Sequence, residues 1–289
     1  RHLPVPGETV LTGGYALVPG GKGCNQAVAM AKLGADVRMI GAVGDDVMAG
    51  PPMAAMQAAG IDTARVRIAE RPTGLAAVMV AEDGENAIVV ASGANLSVRA
   101  DQLANIRAGD VLVCQMEVPF EETAAALVQA KAAGAVTVLN LAPFGELPAE
   151  AWGAVDYWVV NELEAAALAA QVGVAATDDY PALARALALR LNATVVATLG
   201  GEGAVAVTAA GDMWRASVLP AEIVDTTGAG DAFVGGMAAA LAEGDVLSDA
   251  LKKASATAGL ACTGFGAQTA LPGISDVAEA STQISVQRL

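Results

Sequence analysis

The sequence predicts an α/β fold: a mostly parallel central sheet flanked by helices on both faces, with a small β lid. Three observations predict it. From residue 101 onward, short apolar runs alternate with longer helical runs, the pattern of a parallel sheet whose crossovers cover its faces. Earlier the texture differs: residues 73–80 and 86–91 are rich in β-formers around the polar turn Glu82-Asp83-Gly84-Glu85, which signals a hairpin. The chain of 289 residues has no repeat of fixed period and no long linker, so a single domain over 1–289 is expected.

Taken in order, residues 8–18 are expected to form a strand that joins the lid and leads to the glycine turn Pro19-Gly20-Gly21-Lys22-Gly23. Residues 24–33 have helical spacing and stop at Gly34. An apolar strand over 37–43 and a helix over 46–59, closed by Gly60, follow, and then the lid within about 70–95. Later strands are expected at 111–114, 135–139, 157–160, 194–198 and 204–208. The helices between and after them are expected at 121–133, 162–170, 181–191, 229–242 and 246–262. A strand-like pair, Ile223-Val224, enters the glycine turn before residue 229.

Composition removes several function classes. Hydrophobic content of 54% excludes disorder, and an aromatic fraction of 3% means a core built from Ala, Val and Leu. A formal net charge of −15 argues against nucleic acid and anionic membranes as partners, since both need basic patches. A polyanionic substrate such as ATP would need a divalent metal and local amides to offset that repulsion. The one histidine, His2, excludes a Ser-His-Asp triad, an HExxH zinc helix and any two-histidine metal site. Cys24, Cys114 and Cys262 show neither CxxC nor zinc spacing, which implies a reducing, cytoplasmic compartment. Residues 1–10 are polar and proline-bearing, unlike a signal peptide. The long uncharged run 254–275 holds glycines, threonines and a proline, and reads as a buried helix and loop.

The chemistry concentrates in Val224-Asp225-Thr226-Thr227-Gly228-Ala229-Gly230-Asp231-Ala232-Phe233. Glycines let backbone approach a ligand, and the first amides of a helix lack internal acceptors, so this turn makes a nest for an anion. Asp231 inside it is either an N-terminal cap or a general base beside a phosphate in transit. Neither glycine cluster matches a better-known nucleotide loop. A Walker loop would need Gly where Ala16 stands and Ser or Thr where Gly23 stands, and a dinucleotide fingerprint would need Gly at Phe233. Asn161 and Glu164 share a helical face and can jointly order a hydrated Mg²⁺, or form an ordinary capping box. Thr198-Leu199-Gly200-Gly201-Glu202-Gly203 suits close approach by a nucleotide, or a plain hairpin turn.

In this order these stretches resemble the ribokinase-type (PfkB) carbohydrate kinase family over nearly the whole chain. Pro4-Val5-Pro6-Gly7-Glu8-Thr9-Val10 and Pro19-Gly20-Gly21-Lys22-Gly23-Cys24-Asn25-Gln26-Ala27 resemble its sugar-side start, and Thr73-Gly74 with Gly93-Ala94-Asn95 its lid and lid return. The stretch 224–233 resembles its catalytic signature. The resemblance implies ATP-dependent phosphorylation of a small sugar, D-ribose at its terminal hydroxyl before other furanoses or nucleosides. It implies Asp231 as general base and Gly228, Ala229 and Gly230 as amide donors to the transferred group. Gly21, Lys22, Gly23, Asn25 and Glu117, with Asp231, would grip the sugar. Asn161, Thr198, Gly200, Gly201, Gly203, Gly230 and Ser255 would meet ATP, and Asn161 and Glu164 would order Mg²⁺ through water.

The resemblance also implies a potassium site at Asp225, Thr227, Ala261, Gly264 and Gly266. Gly264 and Ala270 stand where that branch of the family has Arg and Ser, so a hydroxyl ligand is lost and potassium activation is expected to be weakened. Family members begin with a central strand ending in an Asn-x-Asp turn, which this sequence, opening at Arg1, does not include. A start upstream of the residues given is expected over true loss, because loss would leave a gap in the sheet. An exposed lid implies a homodimer. From other classes, a non-catalytic sugar or nucleotide binder stays open, and a nicotinamide dehydrogenase trails it.

Overall fold

A computed structural model describes residues 2–81 and 86–289, so the turn expected at residues 82–85 lies outside the described residues. Helix α1 (Lys22–Lys32) follows the first glycine turn. Strand β1 (Arg38–Gly44), helix α2 (Gly50–Ala58) and strand β2 (Asp62–Ala69) form a parallel β-α-β unit. The lid is an antiparallel pair, β3 (Leu75–Val80) and β4 (Asn86–Ala91), in register from Leu75↔Ala91 to Val80↔Asn86. Its base is fixed: Thr73 N donates to Asp46 Oδ2 (2.7 Å), and Gly44 N to Thr73 Oγ1 (2.9 Å).

The main sheet is built from β5 (Val111–Cys114), β6 (Val136–Asn140), β7 (Tyr157–Asn161), β8 (Thr194–Thr198), β9 (Ala204–Val207), β10 (Met213–Ala216) and β11 (Val286–Arg288). Spatial order runs β11-β10-β9-β8-β7-β6-β5. Strands β5 to β8 are parallel neighbours, and β8 continues through β9, β10 and β11 as antiparallel pairs. Six helices complete the chain: α3 (Phe120–Ala132), α4 (Glu162–Val172), α5 (Tyr180–Leu191), α6 (Ala229–Glu243), α7 (Leu247–Ala261) and α8 (Ile274–Ser281).

Alternation along each strand assigns its side chains to two cores. Leu139, Trp158, Val160, Val195 and Ala197 pack with Leu127, Leu168, Leu183 and Leu187 of α3, α4 and α5. Their neighbours Val138, Val159 and Val196 face the other way, onto Phe233, Val234, Met237 and Leu251 of α6 and α7. With so few aromatics, helices approach closely on small residues. A Cβ added at Gly235 of α6 would lie 2.5 Å from Ala29 Cβ of α1, and one at Gly236 would lie 2.6 Å from Thr257 Oγ1 of α7.

Two expectations are corrected. Residues 8–18 form no strand and are almost wholly exposed; the Gly13-Gly14 pair in the middle of the segment weakens an extended ladder. Ile223-Val224 is not a strand either. Val224 N and Asp225 N both donate to Cys262 O, at 2.8 and 3.2 Å, so the backbone is satisfied by the end of α7.

Candidate active site

The parallel strands deliver polar residues to one edge. Asn140, Asn161 and Thr198 are the last residues of β6, β7 and β8, and Gln115 and Glu117 follow the end of β5. Open sheets of this kind bind ligands beyond the carboxyl ends of their strands. Helix α6 begins at the same edge, since the Gln26 side chain reaches both Asn140 and Asp231.

Gly228 precedes α6 in the left-handed region (φ +79°), and no side chain caps the helix. A Cβ at Gly228 would lie 2.7 Å from Ala267 Cβ, so both the dihedral and the space call for glycine. The Ala229 amide turns back to Thr226 O (3.1 Å), whereas the amides of Gly228 and Gly230 have no acceptor among the described residues. Gly230 is open, with nothing within 4 Å of where its Cβ would stand. Of the three amides expected to face an anion, two are therefore free and one is held in the turn.

Asp231 is 7% exposed and, among the described residues, is held by neutral amides and not by a cation. Asn25 Nδ2 donates to its Oδ2 (2.8 Å) and Gln26 Nε2 to its Oδ1 (2.9 Å). Each carboxylate oxygen keeps a second lone pair, so the acid still has capacity for a substrate hydroxyl. Asn25 is fixed in turn by Gln268, whose Nε2 donates to Asn25 Oδ1 (2.8 Å) and to Cys24 Sγ (3.3 Å). Cys24 is a buried packing residue; burial raises its thiol pKa, and Asp231 adds to the rise.

Next to this cluster Lys22 N donates to Glu117 Oε2 (2.8 Å), which ties the first glycine turn to the end of β5. Burial pushes the Glu117 carboxyl above its ordinary range; the Lys22 amide and ammonium pull it back, and the charge of Asp231 raises it. Because the folded value lies above the unfolded one, the stability this group contributes is full at low pH and is lost as pH rises through the folded value. Glu117→Gln removes that loss. Its melting temperature is expected to exceed the parent's at about pH 8, with the gain fading towards about pH 5. Thermal melts in matched buffers check this, and a variant less stable at both pH values would contradict it.

Asn161 and Glu164 form a reciprocal capping box, with Glu164 N donating to Asn161 Oδ1 (2.8 Å) and Asn161 N to Glu164 Oε2 (2.9 Å). Burial raises the Glu164 carboxyl pKa, while the Asn161 amide and the Lys22 charge lower it. Thr198 Oγ1 donates to Val160 O (3.3 Å). The glycines after it close the β8–β9 hairpin: Leu199 N donates to Gly203 O (2.8 Å), and a Cβ at Gly203 would meet Ala216 O at 2.1 Å. Gly200 and Gly201 are open, with nothing near a would-be Cβ. Ser255 Oγ on α7 is buried without a hydrogen-bond partner among the described residues, a hydroxyl with unused capacity.

Asp225 accepts from Thr227 N and Gly266 N, both at 2.9 Å, which joins the turn before α6 to the loop after α7. The Thr227 hydroxyl, the Gly266 amide and the Thr227 amide hold its carboxyl below the ordinary range, so it is a charged, hard oxygen donor. Among the described residues no three His, Cys, Asp or Glu side chains cluster as a metal site. A cation here would draw on the Asp225 carboxylate together with backbone carbonyls, water or a nucleotide, the oxygen donors a hard cation takes.

Residues 1–274 match the description "pfkB family carbohydrate kinase". The chain belongs to the pfkB family of carbohydrate kinases. It is 36% identical to the ribokinase of Haemophilus influenzae, covering 94% of this chain and 90% of that protein. It is 35% identical to the ribokinase of Bacillus subtilis, covering 96% and 92% respectively. The structure of an Arabidopsis thaliana ribokinase complexed with ribose and ATP superposes with a TM-score of 0.88 at 30% identity, covering 97% of this chain and 93% of that one. The fold of this pfkB kinase is accordingly the ribokinase-like α/β fold.

Four side chains of this cluster, Gln26, Gln115, Asn140 and Gln268, carry no motif of their own in the sequence. Gln26 and Asp231 are 205 positions apart, so no spacing rule links them. The available signal was compositional: two adjacent amides, Asn25-Gln26, in an otherwise small and apolar helical run. A recess lined by Lys131, Asp156, Tyr157, Asn192 and Thr194 lies at the opposite, amino-terminal ends of the strands, away from this cluster.

Proposed function

We propose that this protein transfers the γ-phosphoryl group of ATP to the terminal hydroxyl of D-ribose, giving ribose 5-phosphate and ADP. One observation carries the reading. A carboxylate with no counter-cation among the described residues, Asp231, lies at the uncapped start of α6 beside the free amides of Gly228 and Gly230. Phosphoryl transfer needs little from a protein beyond positioning and charge stabilisation, and this cluster supplies both.

In this reading Gly21, Lys22, Gly23, Asn25 and Glu117 hold the sugar with its terminal hydroxyl towards Asp231. Asp231 takes the hydroxyl proton as that oxygen attacks the γ-phosphorus, and the bond to the β-phosphate oxygen breaks. The amides of Gly228 and Gly230 receive the charge that develops on the transferred oxygens. The Ala229 amide joins them on leaving Thr226 O. Thr198, Gly200, Gly201, Gly203 and Ser255 line the adenine-nucleotide side; the open space at Gly200 and Gly201 and the unused Ser255 hydroxyl support this.

Mg²⁺, held by Asn161 and Glu164 through water, would neutralise the β- and γ-phosphates. The donor set fits, since Mg²⁺ takes few protein ligands and Asn161 and Glu164 are already ordered by their capping box. The carboxylate of Asp225, with backbone oxygens of Thr227, Ala261, Gly264 and Gly266, would hold K⁺, and Ala270 lacks the hydroxyl that would complete the set. The free thiols Cys24, Cys114 and Cys262 favour a reducing, cytoplasmic location; burial pushes Cys114 up to about 12. No helix among the described residues is long and apolar enough to cross a membrane.

The test is ADP release on a panel of sugars and nucleosides, with the phosphorylated carbon assigned by ³¹P-coupled NMR. Ribose is expected to give the highest kcat/KM and a 5-phosphate. Ribose binding without ADP release would favour the non-catalytic reading.

The lid supports a homodimer. Val78 (54%), Val80 (68%), Ile88 (56%) and Val90 (55%) are exposed on one face of a hairpin that pairs with no other strand among the described residues. A lone two-stranded sheet is marginal in water and needs its apolar face covered. Light scattering should give twice the 28.7 kDa chain mass. Val78→Asp should give the chain mass and a higher sugar KM, and a monomeric parent would contradict the assignment.

A further inference from the structure

Gln26 is 0% exposed, so no substrate can touch it, yet every polar group of its side chain is engaged. Its Nε2 donates one hydrogen to Asp231 Oδ1 (2.9 Å) and the other to Asn140 Oδ1 (3.0 Å). Its Oε1 accepts from Gln115 Nε2 (2.6 Å). Asn140 Nδ2 donates to Val159 O (3.3 Å), so Asn140 Oδ1 is the acceptor end. The orientation of the Gln26 amide is thereby fixed from two directions. Flipping it would set its carbonyl oxygen against a carboxylate and another carbonyl oxygen, at the cost of three hydrogen bonds.

We propose that Gln26 is the positioning residue for the catalytic acid of this kinase, through the chain Gln115→Gln26→Asp231 anchored on Asn140. The inference rests on the reading of Asp231 as general base. Asn25 holds the other carboxylate oxygen, but the same residue faces the sugar, so binding and positioning are mixed there. Gln26 lies behind Asn25 and has positioning alone. With Oδ1 tied to Gln26 and Oδ2 to Asn25, rotation of the carboxylate is blocked and one further lone pair on each oxygen keeps a fixed direction. The chain also links β5, through Gln115, and β6, through Asn140, to α6, so the acid is registered against the parallel sheet as well as its own helix.

Gln26→Met keeps length and volume and removes both donors and the acceptor. Its kcat is expected to fall by about 10²-fold, the cost of misplacing a reacting group by roughly 1 Å. KM for ribose and ATP should stay within about twofold, because the interaction matters at the reacting centre and not in substrate binding. Rates are taken per binding-competent site, with competence counted by calorimetry, so that partial unfolding does not pass for slow chemistry.

Gln115→Met, at the half-buried end of the chain, should lower the same parameter by about tenfold, and it decides the matter should Gln26→Met not fold. In the Asp231→Asn background, Gln26→Met should cost nothing further, since a residue acting through the acid has nothing left to act on. Wild-type kcat per site in Gln26→Met, a rise in ribose KM alone, or a full multiplicative loss on top of Asp231→Asn would each overturn the proposal. If Asp231→Asn by itself keeps turnover, the general-base reading fails first, and that outcome is distinguishable from failure of Gln26 alone.

Discussion

Asp231→Asn is expected to lower kcat by about 10³-fold, within the range that a positioned general base contributes. Nucleotide binding should survive, because no ATP-side residue depends on this side chain for its position. The substitution is nearly isosteric but not innocent. Asp231 accepts from two amide donors, so an asparagine must turn its NH₂ towards Asn25 Nδ2 or Gln26 Nε2. A donor facing a donor in a buried site costs about 1–3 kcal/mol, and melting temperature should fall accordingly. Turnover kinetics beside ATP calorimetry on the same preparation separates the two effects. Loss of turnover with ATP affinity intact is the predicted outcome; turnover close to the parent's would remove Asp231 from the chemistry.

Gly228→Ala is expected to damage activity and stability together. The new methyl would sit 2.7 Å from Ala267 Cβ and 2.8 Å from Ala267 Cα, on a backbone at φ +79°. Strain of this type costs about 1–3 kcal/mol, and relief comes only by rotating the turn that aims the free amides. Losing one preorganised donor to a developing negative charge lowers kcat by about 10²- to 10³-fold. Gly230→Ala is the matched control, since its Cβ would meet nothing within 4 Å. It should melt like the parent yet turn over slowly, because the space is empty of protein and the proposed reading puts the phosphoryl group there. Parent-like kcat in both variants would dissolve the amide cradle as a catalytic device.

Much of the architecture was legible because burial writes a period into the chain. Strands β5 and β8 fall on the expected residues 111–114 and 194–198, and α5 and α6 fall within one residue at each end. Helix α5 buries one spaced face, Leu183, Ala184, Leu187, Ala188 and Leu191, whereas β8 and α6 are legible as unbroken apolar runs. What escaped notice is held by neighbours and not by local pattern. Strand β2 carries Arg65 and Arg67 and takes its conformation from pairing with β1. Strands β10 and β11 have four and three residues, and only the sheet edge organises them. The error at 8–18 is of another kind, a β-like stretch interrupted by Gly13-Gly14, which weaken a strand.

The site divides along similar lines. Asp231, Lys22, Asn25 and Glu117 were legible through charge and motif, and the structure brings them together. The Asn161–Glu164 pair was legible as two alternatives, and the capping box is what the backbone shows. The amides of Gln26, Gln115, Asn140 and Gln268 were invisible, because neutral polar side chains acquire meaning only from their partners. Folding supplies those partners from remote parts of the chain.

A crystal structure with ribose, ADP, Mg²⁺ and aluminium fluoride tests the central assignment most directly. The fluoride group should sit at the start of α6 on the amides of Gly228 and Gly230. The ribose terminal hydroxyl should lie between it and an Asp231 oxygen, within hydrogen-bond distance of about 2.6–3.2 Å. A fluoride group bound elsewhere, or an Asp231 carboxylate turned away from the hydroxyl, would contradict it.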